Sequence, residues 1–291
     1  MKRSNTTFVI FLLAVLVSRS CTLESGSQKS HQNQELWYTY PARFWNSQSL
    51  HLGNGYMGAS FFGGVEKEKF SITEGSMWCG GPFRGDWEEI GVNPRARESL
   101  DRIRTAVTEG NIRLADSLSN TDYLGGMGRF GHFTSIGDLF LEMDQHEQPY
   151  TAYSRRLDLA HSIGSVSYEM NGVRYEREYF CSYPHNVLVM KITSDVPGSV
   201  GFSLGMDILQ EDYQVEVSGN SYAVSGTIND GDARRFRVEV RAIPYGASAV
   251  ESEQSLEVHR ADSVVLVLSA ATDYKLEYPE YKGIDPTLTC T

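Results

Sequence analysis

The sequence predicts a mainly β chain: a large antiparallel β-sandwich with one inserted helical hairpin. Three observations carry that expectation. Short alternating apolar segments recur from Gly55 onward, separated by turns rich in Gly, Asn and Pro, which marks a sandwich or a barrel. The dipeptide Asn171-Gly172 separates two alternating runs, 165–170 and 173–180. Both central residues of a tight hairpin turn need positive φ, so this is a strong hairpin signal. Helical spacing is confined to one stretch, 93–118. The length of 291 residues favours a large two-sheet sandwich over a small barrel, and the 41% hydrophobic content supports a sizeable core. No internal repeat is seen.

Taken in order, the chain begins with Lys2 and Arg3, an apolar run from Phe8 to Val17, then Ser18-Arg19-Ser20 before Cys21. That is the pattern of a secretory signal over 1–20, too short for a membrane span. Cys21 is a candidate lipidation site if the signal is of the lipoprotein type; Ser20 suits that cut, while Ser18 and Arg19 match it poorly. Residues 21–34 are polar and read as a flexible leader. Export would place the protein in the periplasm, on the outer membrane as a lipoprotein, or outside a bacterial cell. The signal holds three basic residues and no acidic one, so its removal takes the formal charge from −11 to −14. Such a field disfavours nucleic acid and other polyanions.

An aromatic stretch from Trp37 to Trp45 precedes "HLGNGYMGASFFGGV", residues 51–65, which holds five glycines. Gly53-Asn54-Gly55-x-x-Gly58 has the spacing of a dinucleotide fingerprint. That fingerprint follows a strand and opens a helix. Here a strand-like run follows, so the glycines read as a tight turn feeding a closely packed strand. Phe61, Phe62, Val65, Phe70 and Ile72 then read as a hairpin.

Asn93 reads as a helix cap, with Pro94 at the first helical position and Leu100, Ile103 and Val107 on one face. Glu98 and Arg102 are spaced as an i,i+4 pair. Gly110 ends this helix, and Asn111 caps a second that carries Leu114 and Leu118. A glycine-rich loop, 123–131, follows. Further strands are expected at 187–192, 200–206, 213–217, 222–228, 236–243, 256–258 and 264–268, with turns at Pro197-Gly198, Gly219-Asn220, Asp230-Gly231 and Tyr245-Gly246. The expected core faces carry Val187, Val189, Phe202, Leu204, Val238, Val240, Val265 and Val267.

Four cysteines, Cys21, Cys79, Cys181 and Cys290, show no C-x-x-C spacing. Cys79 and Cys181 could pair in an oxidising compartment, but buried free thiols are the expected state. His132, His161 and His185 lack metal-ligand spacing, so no metal and no cofactor is expected. Cys181 lies in a strand without a nucleophile elbow.

Four stretches resemble, in order, the start of glycoside hydrolase family 95, the exported α-L-fucosidases. They are "LWYTYPARFWNSQSLHLGNGYMGASFFGGV", "ITEGSMWCGGP", "FTSIGDLFLEM" and "YSRRLDLAHSIGSVSYEMNGVRYEREYFCSYPHNVLVMKITSD". The second is similar to the family's "LNEDTLWSGGP", with Thr73, Gly75 and Cys79 as departures. The resemblance spans nearly all of 35–275 and implies an N-terminal β-supersandwich. In the family a linker and a catalytic (α/α)6 barrel follow, and the acid and the water-activating group lie on that barrel. "YKGIDPTLTCT" resembles the start of the linker, so 276–291 is read as linker and the barrel as missing or separate. The implied reaction is inverting hydrolysis of terminal fucosyl linkages on a fucosylated oligosaccharide or glycan.

No catalytic residue is expected in this chain. Glu74 and Trp78 are the substrate-proximal candidates, because an indole face stacks on a pyranose while a carboxylate takes its hydroxyls. Asp86, Glu88 and Glu89 follow nearby. The competing expectations are a solvated or capping carboxylate and an edge-packing tryptophan. At the level of function, the alternatives to a hydrolase module are a stand-alone carbohydrate-binding or cell-surface sandwich and a purely structural module. An acidic linker start without a closing strand favours the hydrolase module.

Overall fold

The computed structural model describes residues 34–79, 93–125, 132–228, 234–252, 254–277 and 280–290. The signal, most of the leader, Cys21, and Asp86, Glu88 and Glu89 fall outside these residues, as do the Asp230-Gly231 turn and most of the 123–131 loop.

Two antiparallel sheets form the expected sandwich. The nine-stranded sheet runs β1 (Glu35–Tyr38), β8 (Thr151–Asp158), β9 (Ile163–Met170), β10 (Val173–Ser182), β11 (Val187–Ser194), β18 (Ser263–Thr272), β15 (Arg234–Tyr245), β14 (Ser221–Ile228) and β13 (Asp212–Ser218). The seven-stranded sheet runs β16 (Ala249–Glu251), β17 (Leu256–Ala261), β12 (Val200–Ile208), β7 (Gly137–Met143), β4 (Lys67–Glu74), β3 (Met57–Phe61) and β2 (Leu50–Gly53). A two-stranded ribbon, β5 (Trp78–Cys79) with β6 (His132–Phe133), stands beside them. The Asn171-Gly172 hairpin forms as expected, with φ of 53° and 79° at the two turn residues.

The core lies between the sheets. Phe61, Phe70, Leu139, Phe202 and Leu204 meet Tyr179, Leu188, Met190, Val240 and Leu266, all fully buried. Each large side chain so buried contributes about 1.5–3 kcal/mol. The expected faces of β12 and β15 are correct. Those of β11 and β18 are not: Leu188, Met190 and Ile192, with Val264, Leu266 and Leu268, face the core. Val187, Val189, Val265 and Val267 lie half-buried on the outer face, where Val189 pairs with Val267. Both strands are apolar on both faces, so alternation does not select one.

Of the glycines of 51–65, Gly53 and Gly58 pair across β2 and β3, and Gly55, Gly63 and Gly64 serve two turns. In the β2–β3 hairpin, Gly55 takes a φ of 91°, and Asn54 Oδ1 accepts the N–H groups of Tyr56 (2.9 Å) and Met57 (2.7 Å). The Asn54 amide also donates to Ser182 O and Asn186 Oδ1, both at 2.9 Å, which fastens the hairpin to the β10–β11 turn of the other sheet. The second turn wraps a buried ion pair. Arg177 Nη1 lies 3.3 Å from Glu68 Oε2, and both side chains are fully buried. Gly63 N–H donates to Glu68, while Gly64 and Val65 carbonyls accept from Arg177. A Cβ at Gly64 would sit 1.9 Å from Lys67 O, so no larger residue fits this wrap. The Tyr179 hydroxyl donates to Glu68, and Arg177 donates to the Tyr168 hydroxyl, so both charges carry further hydrogen bonds, while Arg177 Nε has no partner among the described residues.

After the short α1 (Trp45–Gln48), the inserted hairpin consists of α2 (Ala96–Thr108) and α3 (Ile112–Leu118). Asn111 caps α3 by accepting from Leu114 N. Asn93 instead caps the turn before α2, accepting from Arg95 N, and Pro94 precedes the helix. Arg102 turns to Asp122 rather than to Glu98. The buried residues of the hairpin are Ser99, Ala106, Ala115 and Leu118, while Val107 and Leu114 are exposed. Short helices that approach through alanine leave their larger apolar residues outside. Cys181 and Cys290 are free thiols, so the Cys79–Cys181 bridge does not form.

Candidate functional site

Glu74 closes β4 opposite Met57 of β3 and is only 1% exposed. Its Oε2 accepts from the backbone N–H of Ser76 (3.0 Å) and from the Ser76 hydroxyl (2.6 Å). The Ser76 hydroxyl lies 2.6 Å from Thr272 Oγ1, at the end of β18, and the Thr272 hydroxyl also reaches the Ser76 carbonyl at 3.1 Å. The carboxyl therefore braces the 75–77 turn against a strand 196 residues further along the chain. Burial raises the Glu74 pKa above the usual carboxylate range, and the hydroxyls of Ser76 and Tyr56 oppose that rise. Its Oε1 has no well-aligned partner among the described residues.

Trp78 follows this braced turn. Its backbone N–H donates to Ser76 O, and Thr134 N–H donates to Met77 O, which together hold β5 beside β6. The Trp78 and Phe133 rings meet edge to face at 6.0 Å. Both are exposed, by 39% and 46%. Tyr56 adds a third exposed ring; its carbonyl accepts from Gly75 N at 2.7 Å, and burial of its phenol raises that pKa as well. The site is thus an aromatic rim of Tyr56, Trp78 and Phe133 standing over a sealed carboxyl.

Chemically this arrangement can hold an apolar sugar face through its rings. Glu74 does not meet solvent, so as the turn stands it orients the rim rather than exchanging protons with a substrate. Sequence reading found Glu74 and Trp78 but not Tyr56, Ser76, Phe133 or Thr272. Phe133 and Thr272 lie far from Trp78 in sequence, and only strand pairing brings them near. The three histidines considered as ligands are scattered: His132 in β6, His161 beside Asp158 (2.8 Å) in the β8–β9 turn, and His185 in the β10–β11 turn.

A family model described as "Glycosyl hydrolase family 65, N-terminal domain" matches residues 36–277. "Alpha-L-fucosidase 2" of Arabidopsis thaliana is 29% identical over 283 residues, covering 88% of this chain and 32% of the plant protein. "Probable alpha-fucosidase A" of Aspergillus niger is 27% identical over 252 residues, covering 83% of this chain and 31% of the fungal protein. A solved structure assigned as a kojibiose phosphorylase, from human microbiome, aligns at a TM-score of 0.44 and 9% identity, over 88% of this chain and 34% of that one. The chain thus spans about a third of the length of the curated relatives it matches.

Proposed function

The chain belongs to the family of glycosyl hydrolase family 65 N-terminal domains, and from that premise we propose that it is the N-terminal sandwich of an exported α-L-fucosidase of glycoside hydrolase family 95. The observation that carries the reading is the match over 36–277 together with relatives that are named α-fucosidases and extend far beyond the matched third. The substrate is a fucosylated oligosaccharide or glycan, and the reaction is inverting hydrolysis of a terminal fucosyl linkage.

Inverting hydrolysis needs two carboxyl groups about 6.5–9.5 Å apart with room for water between them. Each buried carboxylate among the described residues holds a partner through at least one oxygen. Glu68 holds Arg177, Asp273 holds Arg235, and Glu74 holds Ser76. The resemblance to family 95 is what assigns the chemistry to a catalytic barrel, and we infer that this sandwich packs against it. The rim of Tyr56, Trp78 and Phe133 contributes stacking surface at the edge of that site, and Glu74 fixes the turn that presents it.

Residues 1–20 are read as the export signal, with cleavage or lipidation at Cys21. Mass spectrometry of protein from its native host checks this: an intact Met1 terminus excludes export by this signal.

The test of activity is fucose release from 2′-fucosyllactose. The 291-residue chain alone releases none, and adding a family 95 barrel domain restores turnover. Release by the chain alone, abolished by Glu74→Gln, overturns the assignment of chemistry to a barrel.

A further inference from the structure

We propose that a cleft on the outer face of the seven-stranded sheet, lined by none of the Glu74–Trp78 residues, binds a neutral oligosaccharide. The cleft has a volume of about 590 Å³ and lies between the outer face of the seven-stranded sheet and the β13–β14 hairpin. That volume is in the range of sites that take small organic ligands. Its floor is Phe140, Ser203 and Gly205, on the outward side of β7 and β12; Tyr213 forms a wall, and Gln254 lies at the mouth in the β16–β17 turn.

The lining specifies the ligand. Tyr213 is 42% exposed and offers a ring face. Lys67, Glu142, Asp207 and Gln254 offer donors and acceptors of the kinds that pair with vicinal hydroxyls. Lys67 is held in place for this, 2.8 Å from Glu142 Oε1 and 4.1 Å above the Phe140 ring. Two carboxylates against one ammonium, in a chain of formal charge −11, disfavour phosphates and acidic sugars. The polar lining disfavours a wholly apolar ligand. Gly205 leaves the floor bare: a Cβ there would meet nothing nearer than Gln254 O at 4.0 Å.

The cleft binds rather than cleaves. Glu142 pairs with Ser203, four residues from Asp207 along β12. Those carboxylates therefore stand about 13 Å apart along the strand, too far for a hydrolytic pair.

This inference does not rest on the fucosidase reading, and its test uses ligands without fucose. The full chain is titrated calorimetrically with cellohexaose, maltohexaose and mannohexaose, and with hexagalacturonate as the acidic counterpart. At least one neutral hexasaccharide binds with a Kd of about 1 mM or tighter. Gly205→Phe, which fills the floor, and Tyr213→Ala each weaken that binding about tenfold or more while the melting temperature is kept. If Gly205→Phe does not fold, Asp207→Asn on the exposed end of β12 takes its place and must weaken binding likewise. No binding of any neutral hexasaccharide up to about 10 mM overturns the proposal. So does equal binding of hexagalacturonate, or an unchanged Kd in the folded cleft variants.

Discussion

At the scale of single residues, the telling contrast is between two buried carboxylates. Glu68 meets a guanidinium, a phenol and backbone N–H groups. Glu74 meets one serine and a neighbouring tyrosine, and no cation pairs with it among the described residues. Burial therefore dominates at Glu74 and lifts its pKa above 4.5. A carboxyl raised in the folded state gives stability that is fully present below its unfolded pKa and is lost as pH rises through its folded pKa. Glutamine keeps the oxygen that accepts from Ser76 but carries no charge. Glu74→Gln should thus improve relative to the parent as pH rises from about 4 to about 7, read as the difference in melting temperature at each pH. A deficit that widens with pH would show that the ionised form is the one the site prefers. Sequence reading named this residue for its sugar chemistry; its burial was not legible, because the Thr272 side of its pocket comes from the far end of the chain.

At the scale of elements, turn chemistry was legible where local physics decides it, while strands such as β1, β2 and β16 were not. Asn171-Gly172 demanded positive φ and formed its hairpin, and Asn111 found the N–H of Leu114. Which face of a strand turns inward was legible only where one face is polar. β12 alternates Phe202, Ser203, Leu204, and its inward side was read correctly. β11 reads Val187, Leu188, Val189, Met190, and there the opposing sheet makes the choice. Strand β8 is not legible as a strand because it buries Arg155, a residue that composition assigns to the surface; β7 alternates Leu139, Leu141 and Met143 inward and goes unread all the same. The consequence is measurable. Leu204→Asp places a charge in the centre of the core and should abolish folding. Val189→Thr, on the half-buried outer face opposite Val267, should cost about 1 kcal/mol or less in urea denaturation. A soluble, cooperatively unfolding Leu204→Asp protein, or a loss at Val189→Thr as large as at a core position, would reverse the assigned faces.

At the scale of the whole molecule, the question is how the residues after β18 relate to the sandwich. Residues 280–290 lie against it. Arg234 donates to Glu280 O at 2.7 Å, and Arg235 bridges the buried Asp273 and, at 2.8 Å, Asp285. Gly283 N–H returns to Asp273 O at 2.6 Å. Pro286 and Cys290 are buried, and the Cys290 thiol donates to Arg237 O on β15. Desolvation pushes that thiol to about 11, with the carboxylates of Glu239 and Glu74 adding to the rise. The segment is therefore fastened to β15 and to the end of β18, the strand whose Thr272 braces the Ser76 turn. A thiol that is both buried and protonated reacts only after its cover opens. Native protein treated with N-ethylmaleimide and mapped by mass spectrometry should show Cys290 labelled far more slowly than in urea, and Arg235→Ala should accelerate that labelling about tenfold by releasing Asp285. Arg235 also pairs with the fully buried Asp273, so Arg235→Ala should lower the melting temperature as well, whereas Asp285→Ala, which leaves that pair intact, should speed the labelling with little change in melting temperature. Cys290 labelled in native protein as fast as in urea would mean that the segment is not held against the sandwich in solution, and that Glu74 keeps its turn in place without it.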